Sequence, residues 1–498
     1  MGIVRNQSIK NSISFYIGMA IGALNTIVIY PNTFNDNPDH LGLLQVILAY
    51  SIVLSTFTTL GIPKTFMKYF PEIKQKGQLY FFALIVPLLG FLLTSLVYFS
   101  FKENIFQLMG TDSLLRENFF YIILLVFFIG FYDVLTSISR SFLSAATPIF
   151  INEVFLKIYS MSVLLLHWFD YLDFSIFLKI YLLGYVLKFL ILFSVQFFSK
   201  RFQFEFSFNN LKLKELITYG IYVLVGSTAV VIVARVDMIM IENLLDLEQV
   251  AYYTVAFFIG NAIMVPAKSI NAISIPLIAK AWADQDIKKI HVIYSKSSIN
   301  QLLIGGIFFL CIWVNIDHVF ELLPKKFSSG KWVVFYIGLA QLFNISTGVN
   351  GAIITNTKYY RFDLYTSVLL AIVTVLANLL LIPRFGIDGA AMATAISIFL
   401  FNLIRLLVVK FKLNIHPFSV KTIYTLVTLI LFYFFLINIF DFMFFSELPF
   451  FNIVIKSFIT LGFFIPLLFF LKLSPDINSF INEVINKFLN KKSNIDNF

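Results

Sequence analysis

Of the ionisable side chains that fall inside apolar runs, five define the chemistry open to this chain. Arg235 and Asp237 stand in Val233-Ala234-Arg235-Val236-Asp237, Glu153 and Lys157 share a second run, and Lys188 sits near the middle of a third. A charge at the centre of a membrane helix costs roughly 2.5 to 3.5 kcal/mol, so such residues face a cavity or a partner. Arg235, Lys157 and Lys188 would together make a net-positive cavity suited to phosphate, pyrophosphate or acidic sugars. Glu153 and Asp237 would tune that charge or carry a coupling ion. Glu153 lies four residues before Lys157, the favourable order for a local ion pair. At about 100° per residue, Arg235 and Asp237 point some 200° apart and do not pair on one face.

Other polar residues carry blander expectations. Asp133 and Arg140 are expected as an interfacial pair, Lys179, Arg405 and Lys456 as snorkelling side chains near helix ends, and Asn25 as an interhelical contact. Catalytic and metal residues are not expected. The histidines His40, His167, His291, His318 and His416 are scattered, with none four residues from another. The single cysteine, Cys311, excludes a disulfide framework. No Gly-x-x-x-x-Gly-Lys-Ser/Thr segment is present, so movement of a substrate would not draw on ATP through a P-loop of this chain. No cofactor is implied.

The elements that must position these charges follow from composition. Of 498 residues, 59% are hydrophobic and 13% charged, and the mean hydropathy is +0.87. A soluble domain carries about twice that charged fraction. Apolar runs of about 20 residues, each long enough to cross a bilayer, fall near 11–30, 41–60, 79–101, 118–138, 148–168, 176–197, 217–241, 250–270, 298–316, 332–352, 363–382, 388–409, 420–440 and 452–472. The expected fold is therefore an all-α polytopic membrane protein of about 14 transmembrane helices.

With the N-terminus inside, the cytoplasmic segments hold 25 Lys and Arg and the outer ones 6. That bias places both termini in the cytoplasm and accounts for the net charge of +10 without nucleic acid. Trp168, Trp313 and Trp332 fall at expected outer helix ends, where interfacial indoles belong. The spans group as six, six and two, the layout of a parallel repeat with a binding site between the halves near the midplane. The expected division is a six-helix half over 1–210, a second over 211–410, two further helices over 411–472, and a cytoplasmic tail over 473–498.

Several motifs carry a family resemblance. Arg235-Val-Asp237-Met-Ile-Met-Ile, then Val250-Ala-Tyr-Tyr253-Thr-Val-Ala256 and Pro276-Leu-Ile-Ala-Lys280-Ala-Trp282, resemble the seventh-to-eighth-helix region of Wzx-like polysaccharide flippases. These are members of the MOP superfamily, relatives of MATE exporters and lipid II flippases. Leu381-Ile-Pro383-Arg-Phe-Gly386-Ile-Asp-Gly389-Ala-Ala391-Met-Ala393 resembles the turn joining helices eleven and twelve in that family. Independently of the likeness, Pro383 ends a helix, Gly386 and Gly389 permit a reversal, and the alanines permit close packing.

The resemblance implies two six-helix halves plus two C-terminal helices. It also implies a flippase moving an undecaprenyl-pyrophosphate-linked oligosaccharide across the bacterial inner membrane by alternating access, for O-antigen or capsule biosynthesis. Implied partners are the lipid-linked oligosaccharide, membrane lipids, and a glycan polymerase and glycosyltransferases. The last two helices would supply a groove for the lipid tail. Two departures matter: the family's Gly-x-Tyr at the start of the eighth helix is Ala251-Tyr-Tyr253 here, and the first two spans lack the central arginines of lipid II flippases. The alternatives are a MATE-type antiporter for cationic drugs, disfavoured because spans one to three hold no acidic residue, and an intramembrane glycan polymerase or glycosyltransferase, disfavoured by short outer segments.

Overall fold

A computed structural model describes residues 2–102, 113–199, 205–209, 211–359, 361–442, 447–479 and 482–483. Parts of the expected outer segment 102–117, the inner segment 199–215 and the tail 473–498 lie outside the described residues. The helices are α1 (Ile13–Thr33), α2 (Pro38–Thr59), α3 (Lys76–Ser100), α4 (Phe119–Ser141), α5 (Ala146–Trp168), α6 (Phe174–Phe198), α7 (Leu213–Leu244), α8 (Leu247–Ala283) and α9 (Ile287–Trp313). They continue with α10 (Lys331–Ser346), α11 (Arg361–Leu413), α12 (Val420–Asp441) and α13 (Pro449–Leu471).

Among the described residues, 12 of these helices are long and apolar enough to cross a membrane, and the protein is a multi-pass membrane protein. The difference from about 14 has two physical causes. First, α11 is two helices. Gly386 has φ +59° and ψ −138°, outside helical geometry, and the Leu381 carbonyl lies against Gly389. In a straight helix, residues eight apart are about 12 Å apart along the axis, so the chain reverses here. Ala390, Ala391 and Ala393 beyond the turn are fully buried. Second, α10 stops after 16 residues, short of a spanning length. The chain turns over 347–349, with Gly348 at φ +63°, before a short helix at Asn350–Thr355.

The chain forms two compact units, one of Met1–Phe258 with Ser367–Ala390 and one of Ile259–Thr366 with Ala391–Phe498. In the first, α2 is central, packing on α3, α4 and α7, while α6 packs on α4 and α5. The hydrophobic residues of α2 are correspondingly buried on most sides, Leu41, Leu43, Leu44, Val46 and Ile47 all fully. In the second unit, α9 is central and packs on α8, α10, α12 and α13.

The turn after α10 carries a buried amide network in the second unit. Asn402 Nδ2 donates to Asn344 Oδ1 at 2.9 Å, and Asn402 Oδ1 accepts from Thr347 at 3.1 Å and Asn350 at 3.3 Å. Thr347 Oγ1 also donates to the Asn344 carbonyl at 2.8 Å, taking up a backbone acceptor that the broken helix would otherwise leave in a lipid environment. Arg405 pairs with Asp363 and stacks on Phe401 at 3.8 Å. The snorkelling expectation for Arg405 is corrected, because a carboxylate from the start of α11 pairs with the guanidinium within the unit.

Candidate functional site

Four of the five charged residues singled out from the sequence come together in the first unit, on α5, α6 and α7. Two local irregularities shape the site. In α1 the backbone widens to π-helical turns over Leu24–Ile29, and in α5 over Ile151–Phe155. Such turns change which way the following side chains point and recur at functional sites. The two helices meet closely at Gly18, where any Cβ would collide with the backbone carbonyl of Glu153.

This close approach fixes Lys157. Its ammonium donates to the Gly18 carbonyl at 3.0 Å and to Glu153 Oε2 at 2.9 Å, so the local Glu153–Lys157 pair forms. Glu153 Oε1 accepts from Asn152 Nδ2 at 3.1 Å, and Asn152 Oδ1 accepts from Lys188 Nζ at 3.2 Å. Asn25, buried in the widened part of α1, donates to the Lys157 carbonyl at 3.1 Å, the interhelical role expected of it.

Lys188 is 5% exposed. Its ammonium lies 4.5 Å from the centroid of Tyr132 and 4.8 Å from that of Tyr185, and no carboxylate lies within ion-pair distance among the described residues. Asp133 and Glu153 act on it from farther away. Tyr185 is also within electrostatic reach of Arg235, which has no ion pair among the described residues. A line of side-chain contacts thus runs Lys157, Glu153, Asn152, Lys188, Tyr185, with Arg235 at longer range beyond it, three cations against one directly paired carboxylate. Asp133 and Arg140 form no ion pair among the described residues, against expectation; one carboxylate instead serves both Lys188 and Arg140 at longer range.

Asp237 stands apart from this line. It is 5% exposed, and its two oxygens accept from Tyr253 Oη at 2.6 Å and Asn378 Nδ2 at 2.7 Å. The angular separation of Arg235 and Asp237 on α7 is therefore realised as two different environments. Tyr253, in the motif that carried the family resemblance, is fully buried and fixes this carboxylate from α8.

Sequence reasoning passed over Asn152, Tyr132 and Tyr185 as participants. Tyr185 stands three residues before Lys188, a helical spacing that places both on one face, but the approach of Asn152 from α5 depends on the π-helical turn. Glu242 was also missed: it is 3% exposed near the end of α7, beside the Tyr50 hydroxyl. The sequence reading ends that span at residue 241, whereas α7 runs to Leu244.

The paired helical units with a reversal at Gly386 have the fold of MOP-superfamily transporters. The inward closed conformation of the lipid II flippase MurJ matches with a TM-score of 0.72 at 15% identity, over 93% of this chain and 99% of that one. An inward-facing multidrug-resistance MATE transporter matches with a TM-score of 0.61 at 13% identity, over 82% of this chain and 98% of that one. A model of the polysaccharide biosynthesis protein family matches residues 8–282, more than half of the sequence, and the chain belongs to that family. An uncharacterized membrane protein of Methanocaldococcus jannaschii is 25% identical over 224 residues, 43% of this chain; the match spans only 42% of that relative's length.

Proposed function

We propose that this protein is a flippase that carries a lipid-linked oligosaccharide, on undecaprenyl pyrophosphate, across the cytoplasmic membrane by alternating access. Its product serves O-antigen or capsule assembly, with a glycan polymerase and glycosyltransferases as partners. The observation that carries this reading is a pair of cations, Lys188 and Arg235, that stand in apolar helices of the first unit without an ion pair among the described residues, in a polysaccharide-biosynthesis family member. Lys188 is held by an amide and two aromatic rings, and Arg235 has a tyrosine as its neighbour. Cations left without carboxylates in a membrane segment are available to an anionic ligand. Lys157 lies at the end of the same line, already neutralised by Glu153, and contributes to the site when that pair opens. Glu153 and Asp237 tune the charge or carry a coupling ion. The 25 to 6 distribution of basic residues supports a topology with both termini in the cytoplasm.

The test is gene deletion followed by leaflet-specific labelling of lipid-linked oligosaccharide with an impermeant sugar reagent. The reading requires accumulation on the inner face and loss of surface glycan. Unchanged glycan together with new sensitivity to cationic dyes would replace it with a drug antiporter, and chain elongation by the purified protein would replace it with a polymerase.

A further inference from the structure

The second unit has a pocket of its own where α9, α10, α12 and α13 end, about 270 Å³ in volume. Its walls are of two kinds. Trp313, Tyr433 and Phe440 supply flat apolar surface, and Asp317, Lys331, Asp441 and Lys456 supply charge of both signs. Trp313 Nε1 donates to Tyr433 Oη at 3.3 Å, which fixes both rings, and Lys331 pairs with Asp317. The ammonium of Lys456 lies 5.2 Å from the Phe440 centroid and within electrostatic reach of Asp317, Glu321 and Asp441. Lys456 is seven residues into α13, about 10 Å along the axis. It was expected to snorkel, and its ammonium reaches the helix-end carboxylates that line this pocket.

We propose that this pocket binds a monosaccharide unit of a glycan. A pyranose has an apolar face of C–H groups that packs on aromatic rings, and an equatorial rim of hydroxyls that donate and accept. Carboxylates accept from such hydroxyls and ammonium groups donate to them. A wall where both charges are already balanced by each other suits a neutral polyol better than an ion, because no net charge has to be compensated. The volume lies just below the usual range of small-molecule sites, about 300 to 1,000 Å³, and is enough for one sugar ring. The charge bias along the chain assigns this end of the unit to the outer face. The pocket is therefore a holding site for sugar on the exit side. This assignment deepens the flippase reading and rests on it for the source of the sugar.

The experiment is saturation-transfer NMR on the purified full-length protein in detergent, with N-acetylglucosamine, galactose and glucose as probes and phosphoethanolamine as a competitor of different chemistry. Saturation transfer to the ring protons of at least one sugar is expected. That signal should fall about tenfold or more in Lys456→Met and Asp441→Asn, as expected for loss of a hydrogen bond to a charged group. Trp313→Phe should weaken transfer to the apolar ring face, while Lys212→Met, at an exposed lysine away from both sites, should leave it unchanged. Each variant is first required to elute and melt as the parent does. Absence of transfer to all three sugars overturns the proposal, as does binding that survives both Lys456→Met and Asp441→Asn. Binding of phosphoethanolamine alone overturns it in favour of a lipid headgroup. Sugar binding here with unchanged glycan export on gene deletion would refute the flippase reading and leave the pocket standing. The reverse result would refute the pocket alone.

Discussion

Replacing Lys188 by methionine separates a structural from a functional role for the buried cations. Carrying the ammonium in a membrane helix costs about 3 kcal/mol. Its hydrogen bond to Asn152 returns about 1.5 kcal/mol. The two ring faces at 4.5 and 4.8 Å return about 1 kcal/mol each at most at this spacing. These contributions nearly cancel. Methionine fills a similar volume between the same rings and removes both the cost and the return, so Lys188→Met should change folding stability by no more than about 1 kcal/mol. Glycan export, by contrast, should fail. The assay pairs thermal unfolding of the purified variant, followed by size-exclusion elution, with complementation of a deletion strain at equal membrane expression. Lys188→Arg should restore part of the export, because the charge returns in a different shape. A Lys188→Met protein that loses more than about 3 kcal/mol would show that the ammonium is a structural tie. Normal export at normal stability would refute the cationic-site argument altogether.

Three further outcomes are expected. Gly18→Ala should lower stability by about 1 to 3 kcal/mol by forcing α1 away from the Glu153 carbonyl; Gly22→Ala one turn later should be tolerated, since its Cβ would meet Lys157 Nζ at an ordinary 3.5 Å, and paired melting curves test both. Tyr253→Phe should cost about 1.5 to 3 kcal/mol, because it removes a 2.6 Å bond to the buried Asp237 carboxylate; a melting temperature equal to the parent's would contradict that. At Asp476, partial burial works to raise the carboxyl, but hydrogen bonds from Lys296 and Asn300 and the Lys296 charge outweigh it and hold the group below the usual carboxylate range. A depressed folded-state value means that stabilisation is present above the unfolded carboxyl pKa of about 4 and is lost as pH falls through the lower folded value. The segment after α13 should therefore stay docked on α9 at neutral pH and loosen only in acid, read by the mobility of a spin label at position 479, and Asp476→Asn should remove the transition.

The spans were legible because hydrophobic run length is set by bilayer thickness alone. The turn at Pro383 to Gly389 was legible for a similar reason, since proline and glycine act on the backbone locally. The Glu153–Lys157 pair followed from helical spacing. What stayed hidden depends on contacts between helices. Asn152 meets Lys188 only because α5 widens over Ile151–Phe155, and no residue pattern announces that extra backbone turn. Asp237 read as a cavity charge, yet its partners Tyr253 and Asn378 stand 16 and 141 residues away. Lys456 read as a snorkelling side chain because depth can be counted from a sequence, whereas the carboxylates of Asp317 and Asp441 that meet it there come from other segments of the chain. The polar break after α10 was hidden too, because Gln341, Asn344 and Asn350 interrupt an otherwise apolar run without ending it.

That break has a consequence for how the protein is made. At 16 residues, α10 reaches about 24 Å, less than the roughly 30 Å hydrocarbon core. Asn344 Oδ1 gains its donor, and Thr347 and Asn350 gain an acceptor beyond their own turn, only when Asn402 is present. During synthesis, the ribosome delivers α10 more than 50 residues before that partner. The segment therefore cannot partition into lipid as a finished helix when it first leaves the translocation channel. It must wait at the channel or against α9 until the second limb of α11 arrives, so chains truncated before residue 402 should leave α10 accessible to aqueous reagents while longer ones shield it. Insertion of this part of the protein is thereby a joint event of several helices, timed by translation.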